Sequence, residues 1–585
     1  MGAPLDLRIE GGTIMDGSGQ PGVRGSVGVR DGKIVAVGEV SGDARERIDA
    51  GGMIVAPGFI DVHTHYDAQA FWDPTLSPSS RFGVTTVIAG NCGFSIAPLS
   101  GKADDTEYLM RMLARVEGMP LEALRAGVPW DWRSFEEYLA RIDGTLAINA
   151  GFMVGHSAMR RAVMGSRAIG QAATAAELSQ MQALLRTSLA AGGMGLSTTM
   201  SNSHLDGDGN PVPSRFATRE EMIGLAGILA EFEGTTLEFE PTVASEFSED
   251  LVKLMTDMSL AAGRLLNWNT LLPDSRMPNL YRSHLAASDY AAARGARIVP
   301  LVAAQQNTLT VNFISAFILA SYPGWGETMR LPLDARKKAL MDPAIRRQLD
   351  EGAHSPESGH GALTSDWPKW VFAQIHHPDN KHWEGKKVGE VAESLGKAPF
   401  DVLLDVVIAD DLKTLLVMPQ RGATEESWEM LGVVWKDERT IIGSSDAGAH
   451  LDLTDAFVAP MQLLSVGVRK RGMLSLQEAV RQLTSVPAGF YGLRDRGMLK
   501  AGYCADIVVF DPATVGRGPI YMRKDLPADA QRLYADAVGV HHVFVNGREI
   551  VRNNEFRGSF PGKILRSGKD SYTVPIPANQ GTRSQ

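Results

Sequence analysis

The chain has 585 residues, 44% hydrophobic and 22% charged, ordinary proportions for a folded protein and enough length for a barrel of roughly 250 residues or more plus a smaller domain. Its 58 basic and 68 acidic residues leave a net charge of −10, which disfavours non-specific nucleic-acid binding, since that needs a basic face. Two cysteines, Cys92 and Cys504, exclude a disulfide framework. The start, MGAPLDLRIEGG, lacks a basic stretch followed by an apolar one, and Asp6 stands where a myristoylation signal needs Ser or Thr. No apolar run is long enough to cross a bilayer. The expectation is a cytoplasmic protein without nucleic-acid or membrane partners; homo-oligomer formation stays open.

Residues 1–56 read as short strands between glycine turns, with Asp31-Gly32 marking a hairpin, and predict a small antiparallel sheet. From Pro57 the pattern changes. GFIDVHTH, VTTVIAG, AINAGFMVG, GMGLSTT, TTLEFEP, RLLNWNTL, ARIVPLVA and TIIGSSDAG are apolar strand candidates, separated by amphipathic stretches such as AATAAELSQMQALLRTSLAAG. Eight strands alternating with helices point to an α/β fold, a (β/α)8 TIM-like barrel over 57–490. An open doubly wound sheet fits less well, because no Gly-rich phosphate loop follows any strand. The stretch 305–436 is too long for one βα connection and reads as a lid insertion on the active-site face. Strands return over 491–573, in CADIVVFDP and HHVFVNGREI, and are expected to join residues 1–56 in a small β-sandwich domain built from both chain ends. Residues 574–585 read as a loose tail.

His63 and His65 end the first barrel strand. Alternate residues of a strand face one side, so two imidazoles there are placed to share a metal; the competing reading is two polar residues at a strand end. GFIDVHTHYD followed by GVTTVIAGNCGFSIAPL resembles the D-aminoacylase (N-acyl-D-amino-acid deacylase) branch of the amidohydrolase superfamily. The resemblance resumes at VGHSAMR, GLSTTM, SSDAGAH, GMLKAGYCADIVVFDP and VFVNGREIV and closes with PGKILR, nearly the whole chain. It implies that His63 and His65 are metal ligands and that Cys92, 29 residues after His63, ligates or bridges metal. Asp446, in SSDAG at the end of the eighth strand, falls where the resemblance places a metal-binding aspartate that also acts as base. Its residue-level alternative is an Asp turn; that of Cys92 is a small residue in a tight turn.

The family pattern also has metal-binding histidines at the ends of the fifth and sixth strands. Here those strands carry Glu238 and Glu240, and Asn267 and Asn269. Either Glu238 or Glu240 joins Cys92 on a metal, or a second site is absent; the expectation is one catalytic ion on His63, His65 and Asp446, with Cys92 adjacent. Zinc is the default for this donor set, one ion with a second still open, and iron or manganese is the alternative. His156 and Arg160, in VGHSAMR, and Ser197 (with Thr198 and Thr199) are candidates for the substrate-binding rim, as is Asn269; a structural role for His156 stands beside that. His450 is a candidate behind Asp446. The lid histidines His354, His360, His376, His377 and His382 are spaced as a loop surface rather than as a metal site. Cys504, outside the barrel, reads as structural.

The implied activity is hydrolysis of an amide bond in an N-acyl-D-amino acid or related small molecule, with a metal-activated water and Asp446 shuttling the proton. The alternatives are a cyclic imide, lactone or xenobiotic amide as substrate, or a decayed barrel that only binds a ligand.

Overall fold

A computed structural model describes residues 4–242, 246–306, 308–314, 319–355, 364–419 and 424–576. All eight strand candidates form one parallel barrel. In chain order the strands are Phe59–Asp61, Val84–Ala89, Asn149–Phe152 with Val154–Gly155, Gly195–Thr199, Thr236–Glu240, Leu266–Leu271, Ile298–Val302 and Ile441–Ile442. Each pairs in parallel with the next, and a parallel bridge between Thr64 and Ala447 joins the eighth back to the first. Ile60, Val62, Ile88, Met153, Met194 and Leu301 fill one apolar cluster, so the barrel is a packed core rather than a pore. Outer helices begin where the sequence supplies caps. Thr174 and Glu177 form a capping box at Ala175–Ala190, and the Thr218 hydroxyl accepts the Glu221 amide at Arg219–Ile228.

Both chain ends contribute to a single nine-stranded sheet. Asp31 and Gly32 take positive φ, 50° and 74°, and turn Val23–Arg30 back onto Lys33–Gly38 as the Asp-Gly signal predicts. The sheet is not antiparallel throughout, however. Ala44–Asp49 and Ile54–Pro57 both run parallel to Leu5–Ile14, and Ile54–Pro57 then pairs antiparallel with Ile507–Phe510. The closing PGKILR segment has a structural job: Ile564 and Leu565 pair in parallel with Ala150 and Gly151 of the third barrel strand. Val574 and Ile576, expected in a loose tail, pack against the apolar cluster inside the barrel.

The insertion is more ordered than a loop surface. Thr310–Val311, Val371–Gln374 and Leu415–Val417 form a three-stranded antiparallel sheet. Helices including Pro343–His354 and Pro399–Ala409 cover it around a core of its own, with Trp325, Trp367, Trp370 and Phe400 inside. Helix Glu425–Val434, expected within the insertion, instead buries Leu431 and Val434 in the barrel's main core. Among the described residues, no helix is long and apolar enough to cross a membrane.

Candidate metal centre

Backbone bonds between the first and eighth strands assemble the centre. The Asp446 amide donates to the His63 carbonyl at 3.1 Å and the His65 amide to the Ala447 carbonyl at 2.8 Å, which sets two imidazoles and one carboxylate side by side. Asp446 Oδ1 lies 3.1 Å from His65 Nε2 and 3.5 Å from His63 Nε2. Cys92 Sγ is 3.5 Å from the same His63 nitrogen. The four strongest sequence candidates therefore converge at the C-terminal mouth of the barrel.

Two of these residues sit in left-handed backbone, Cys92 at φ 55° and Asp446 at φ 56°, a conformation that non-glycine residues adopt rarely and mostly where surroundings enforce it. Around Cys92 the enforcement is explicit. Asn91 Nδ2 donates to the Thr64 and Ile88 carbonyls at 3.1 and 3.0 Å, and the Cys92 amide donates to Glu238 Oε2 at 2.8 Å. Ser197 Oγ accepts the Gly93 amide and donates to the Gly90 carbonyl. This corrects the expectation for Ser197, which is fully buried and holds the cysteine turn rather than lining a substrate rim.

Of the two readings open for His156, the structure favours the structural one, and Arg160 belongs to the same buried network. His156 Nδ1 is 2.8 Å from Thr198 Oγ1 and its Nε2 is 2.9 Å from Glu221 Oε1. Arg160 donates through one nitrogen to both Glu221 oxygens at 2.5 Å and through the other to the Gln171 carbonyl. Both side chains are buried, and both imidazole nitrogens and the two terminal guanidinium nitrogens meet partners inside the protein. Burial, only partly countered by Glu221, lowers the pKa of His156.

Glu117 is a member of the site that sequence patterns miss. It follows helix Ala103–Val116 rather than a strand, and its Oε1 lies 3.4 Å from His65 Nδ1 while both groups are buried. Burial works against the His65 charge, but Glu117 and then Asp446 outweigh it and raise His65 to about 9. Asp446 is desolvated too, yet hydrogen bonds from His63 and His65 hold it well below the usual carboxylate range. His450 Nε2, at 3.6 Å, faces the other Asp446 oxygen, Oδ2, as expected of a residue behind Asp446.

The donor chemistry fits a metal ion. His63, His65 and Cys92 each offer a ligand atom within 4.8 Å of the others, and so do Cys92, Glu238 and Glu240. Glu238 Oε1 and Glu240 Oε2 are buried without a hydrogen-bond partner, and burial raises Glu238 to about 8. Such oxygens are costly unless a cation or donor meets them. Asn269 borders a cavity of about 310 Å³ together with Glu240, Phe247, Trp268 and Gln306. In the insertion, the His354 ring bonds within its own helix, to the Asp350 carbonyl, and the His376 and His377 amides both donate to Asp410. No donor group there could hold a metal among the described residues; His360 lies outside them.

Gly448 keeps this geometry. It adopts φ +92°, and a Cβ there would come within 2.8 Å of the His65 carbonyl carbon and oxygen. Gly448→Ala is therefore expected to displace His65 and weaken metal binding by at least about tenfold, measured by metal titration; unchanged affinity would contradict that role.

A model of the amidohydrolase family matches residues 46–551. The chain belongs to the amidohydrolase family. It is 30% identical over 568 residues to a D-aminoacylase from Alcaligenes xylosoxydans xylosoxydans, covering 96% of this chain and 98% of that one. A solved D-aminoacylase described as having a binuclear metal centre, with activation by one metal and attenuation by the second, is 26% identical at TM-score 0.63 and covers 96% of this chain and 100% of that one. N-acyl-D-glutamate deacylase from Bordetella bronchiseptica, solved with zinc and a phosphonate mimic of the tetrahedral intermediate, is 25% identical at TM-score 0.63, covering 97% and 100%.

Proposed function

We propose that the chain is a metal-dependent deacylase that hydrolyses the amide bond of N-acyl-D-amino acids, with its catalytic ion, zinc by default, on His63, His65, Asp446 and Cys92. The observation that carries this reading is the meeting of two imidazoles and the Asp446 carboxylate within 3.5 Å, in a chain that full-length deacylases match from end to end. When bound, the ion supplies Lewis acidity, activating water and polarising the substrate carbonyl.

The protein's own groups do the rest. Glu117 faces His65 Nδ1 and holds a proton there, so that with an ion bound Nε2 would be the nitrogen left to ligate it. Asp446 points Oδ1 at the imidazoles, and Oδ2 is the oxygen left to accept a proton from the attacking water and return it to the departing amine. His450, beside Oδ2, steadies the carboxylate in that orientation. The cavity bordered by Asn269 and Trp268 receives a substituent flanking the scissile bond.

Removing metal by dialysis against a chelator is expected to abolish hydrolysis of N-acetyl-D-amino acids, and adding zinc back to restore it. A panel of N-acetyl-D- and N-acetyl-L-amino acids, with a cyclic imide and a lactone beside them, should show preference for the D-amides. Hydrolysis that survives chelation, or faster turnover of the imide or lactone, would reject the reading.

A further inference from the structure

We infer that the cavity beside Trp268 and Asn269 selects substrates whose amino-acid side chain ends in an uncharged carboxamide, the asparagine or glutamine type, over acidic and purely apolar side chains. This rests on the deacylase reading above and adds a substrate class to it.

The first observation is a concentration of unmet polar atoms. Asn269 Oδ1, Trp268 Nε1 and both amide atoms of Gln306, Nε2 and Oε1, are buried without a hydrogen-bond partner, and all three residues border the same cavity of about 310 Å³. Buried polar groups nearly always find partners, and each one left without costs about 1–3 kcal/mol. Gln306 is the sharpest case, because neither end of its amide is used inside the protein. The set is balanced: the indole N–H and the Gln306 amide nitrogen donate, while the Gln306 and Asn269 amide oxygens accept.

The second observation is the charge around them. Among the described residues no lysine or arginine borders the cavity, and its acidic residues are Glu240 and Asp274. Asp274 is engaged by Arg276, whose Nε donates to both carboxylate oxygens at 2.8 and 3.1 Å. The remaining wall is aromatic: Phe247 stacks on the His284 ring at 4.1 Å and meets Trp268 edge-on at 5.1 Å. Apolar walls of this kind strengthen the polar contacts made between them. A carboxylate entering here would satisfy donors only and would bring a negative charge to a place without a cation. A branched alkyl group of the same size would leave all four atoms unmet. A carboxamide answers both kinds, since its nitrogen can donate to the two amide oxygens and its carbonyl can accept from the indole and from Gln306. Sites built on buried hydrogen-bonding groups reject analogues that lack the matching group far more strongly than apolar pockets reject a misfit.

The test compares N-acetyl-D-asparagine, N-acetyl-D-aspartate and N-acetyl-D-leucine, which match in length and differ at the end of the side chain, with N-acetyl-D-glutamine and N-acetyl-D-glutamate as the longer pair. Turnover is read on the zinc-loaded full chain, and binding by calorimetry on the chelator-stripped chain. The better amide is expected to exceed its matched acid by at least about a hundredfold in kcat/KM, and leucine by at least about tenfold, with the same order in binding. Gln306→Met keeps the bulk without the amide and should shrink the amide-over-leucine ratio by about tenfold or more. Gln306→Lys supplies the missing cation and should shift preference toward the acids. If neither variant folds, the wild-type order decides. An acid or leucine level with or ahead of both amides, a ratio that Gln306→Met leaves in place, or no binding of either amide would overturn the proposal; where D-amides are still hydrolysed, the deacylase stands. Amides bound in the expected order but never hydrolysed would keep this pocket and reject the deacylase.

Discussion

Asp446→Ala is expected to lower kcat/KM for amide hydrolysis by roughly 10²–10⁴-fold from lost proton transfer alone, with a further loss from weakened metal binding. The residue has two separable duties, which Asp446→Asn can divide. Asparagine keeps the shape and one oxygen facing His63 and His65, but its amide cannot carry a proton between water and amine. The asparagine variant should fold, retain much of its metal and stay nearly inactive. Steady-state kinetics beside metal analysis of the same sample reads both quantities. Wild-type turnover by either variant would remove Asp446 from the mechanism.

Glu221→Ala is expected to cost about 3–5 kcal/mol of stability, because removing one partner of a buried ion pair leaves the other charge uncompensated. Arg160 is 0% exposed and Glu221 2%, and His156 gives its Nε2 to the same carboxylate. Glu221→Gln should cost less, since it can still accept a hydrogen bond from His156 although the charge is gone. Urea unfolding of the three proteins would show the order. A loss under about 1 kcal/mol, the range of an exposed pair, would mean that Arg160 finds water or another acceptor.

That network also shows where reading the sequence stops. Arg160 and His156 stand on one short motif, and a motif with a histidine and an arginine near a strand end suggests a substrate site. Their partner, Glu221, lies 61 residues beyond Arg160, in the first turn of another helix, and no local pattern announces it. Glu117 is hidden for a similar reason: it follows a helix, and no local pattern ties it to His65, 52 residues earlier in the chain. The eight strands were legible because each apolar run is bounded by an amphipathic helix or a glycine turn, a signal that needs no distant partner. His63, His65, Cys92 and Asp446 were legible because each terminates such a strand. Strand direction in the small sheet was not, since alternation of apolar residues looks the same in a parallel and an antiparallel neighbour. The insertion's interior is not legible because its core residues Trp325, Trp367 and Trp370 are spread over short segments that follow neither strand nor helix periodicity.

The sheet shared by both chain ends imposes an order of events during synthesis. Ile54–Pro57 leaves the ribosome early, but its antiparallel neighbour Ile507–Phe510 emerges only after the entire barrel has been translated. At about 5–20 residues per second, that strand edge waits on the order of half a minute or longer for its mate. Until then the nascent chain exposes an apolar ribbon able to pair with other chains, so a fragment truncated before residue 507 should aggregate where the full-length protein stays in solution.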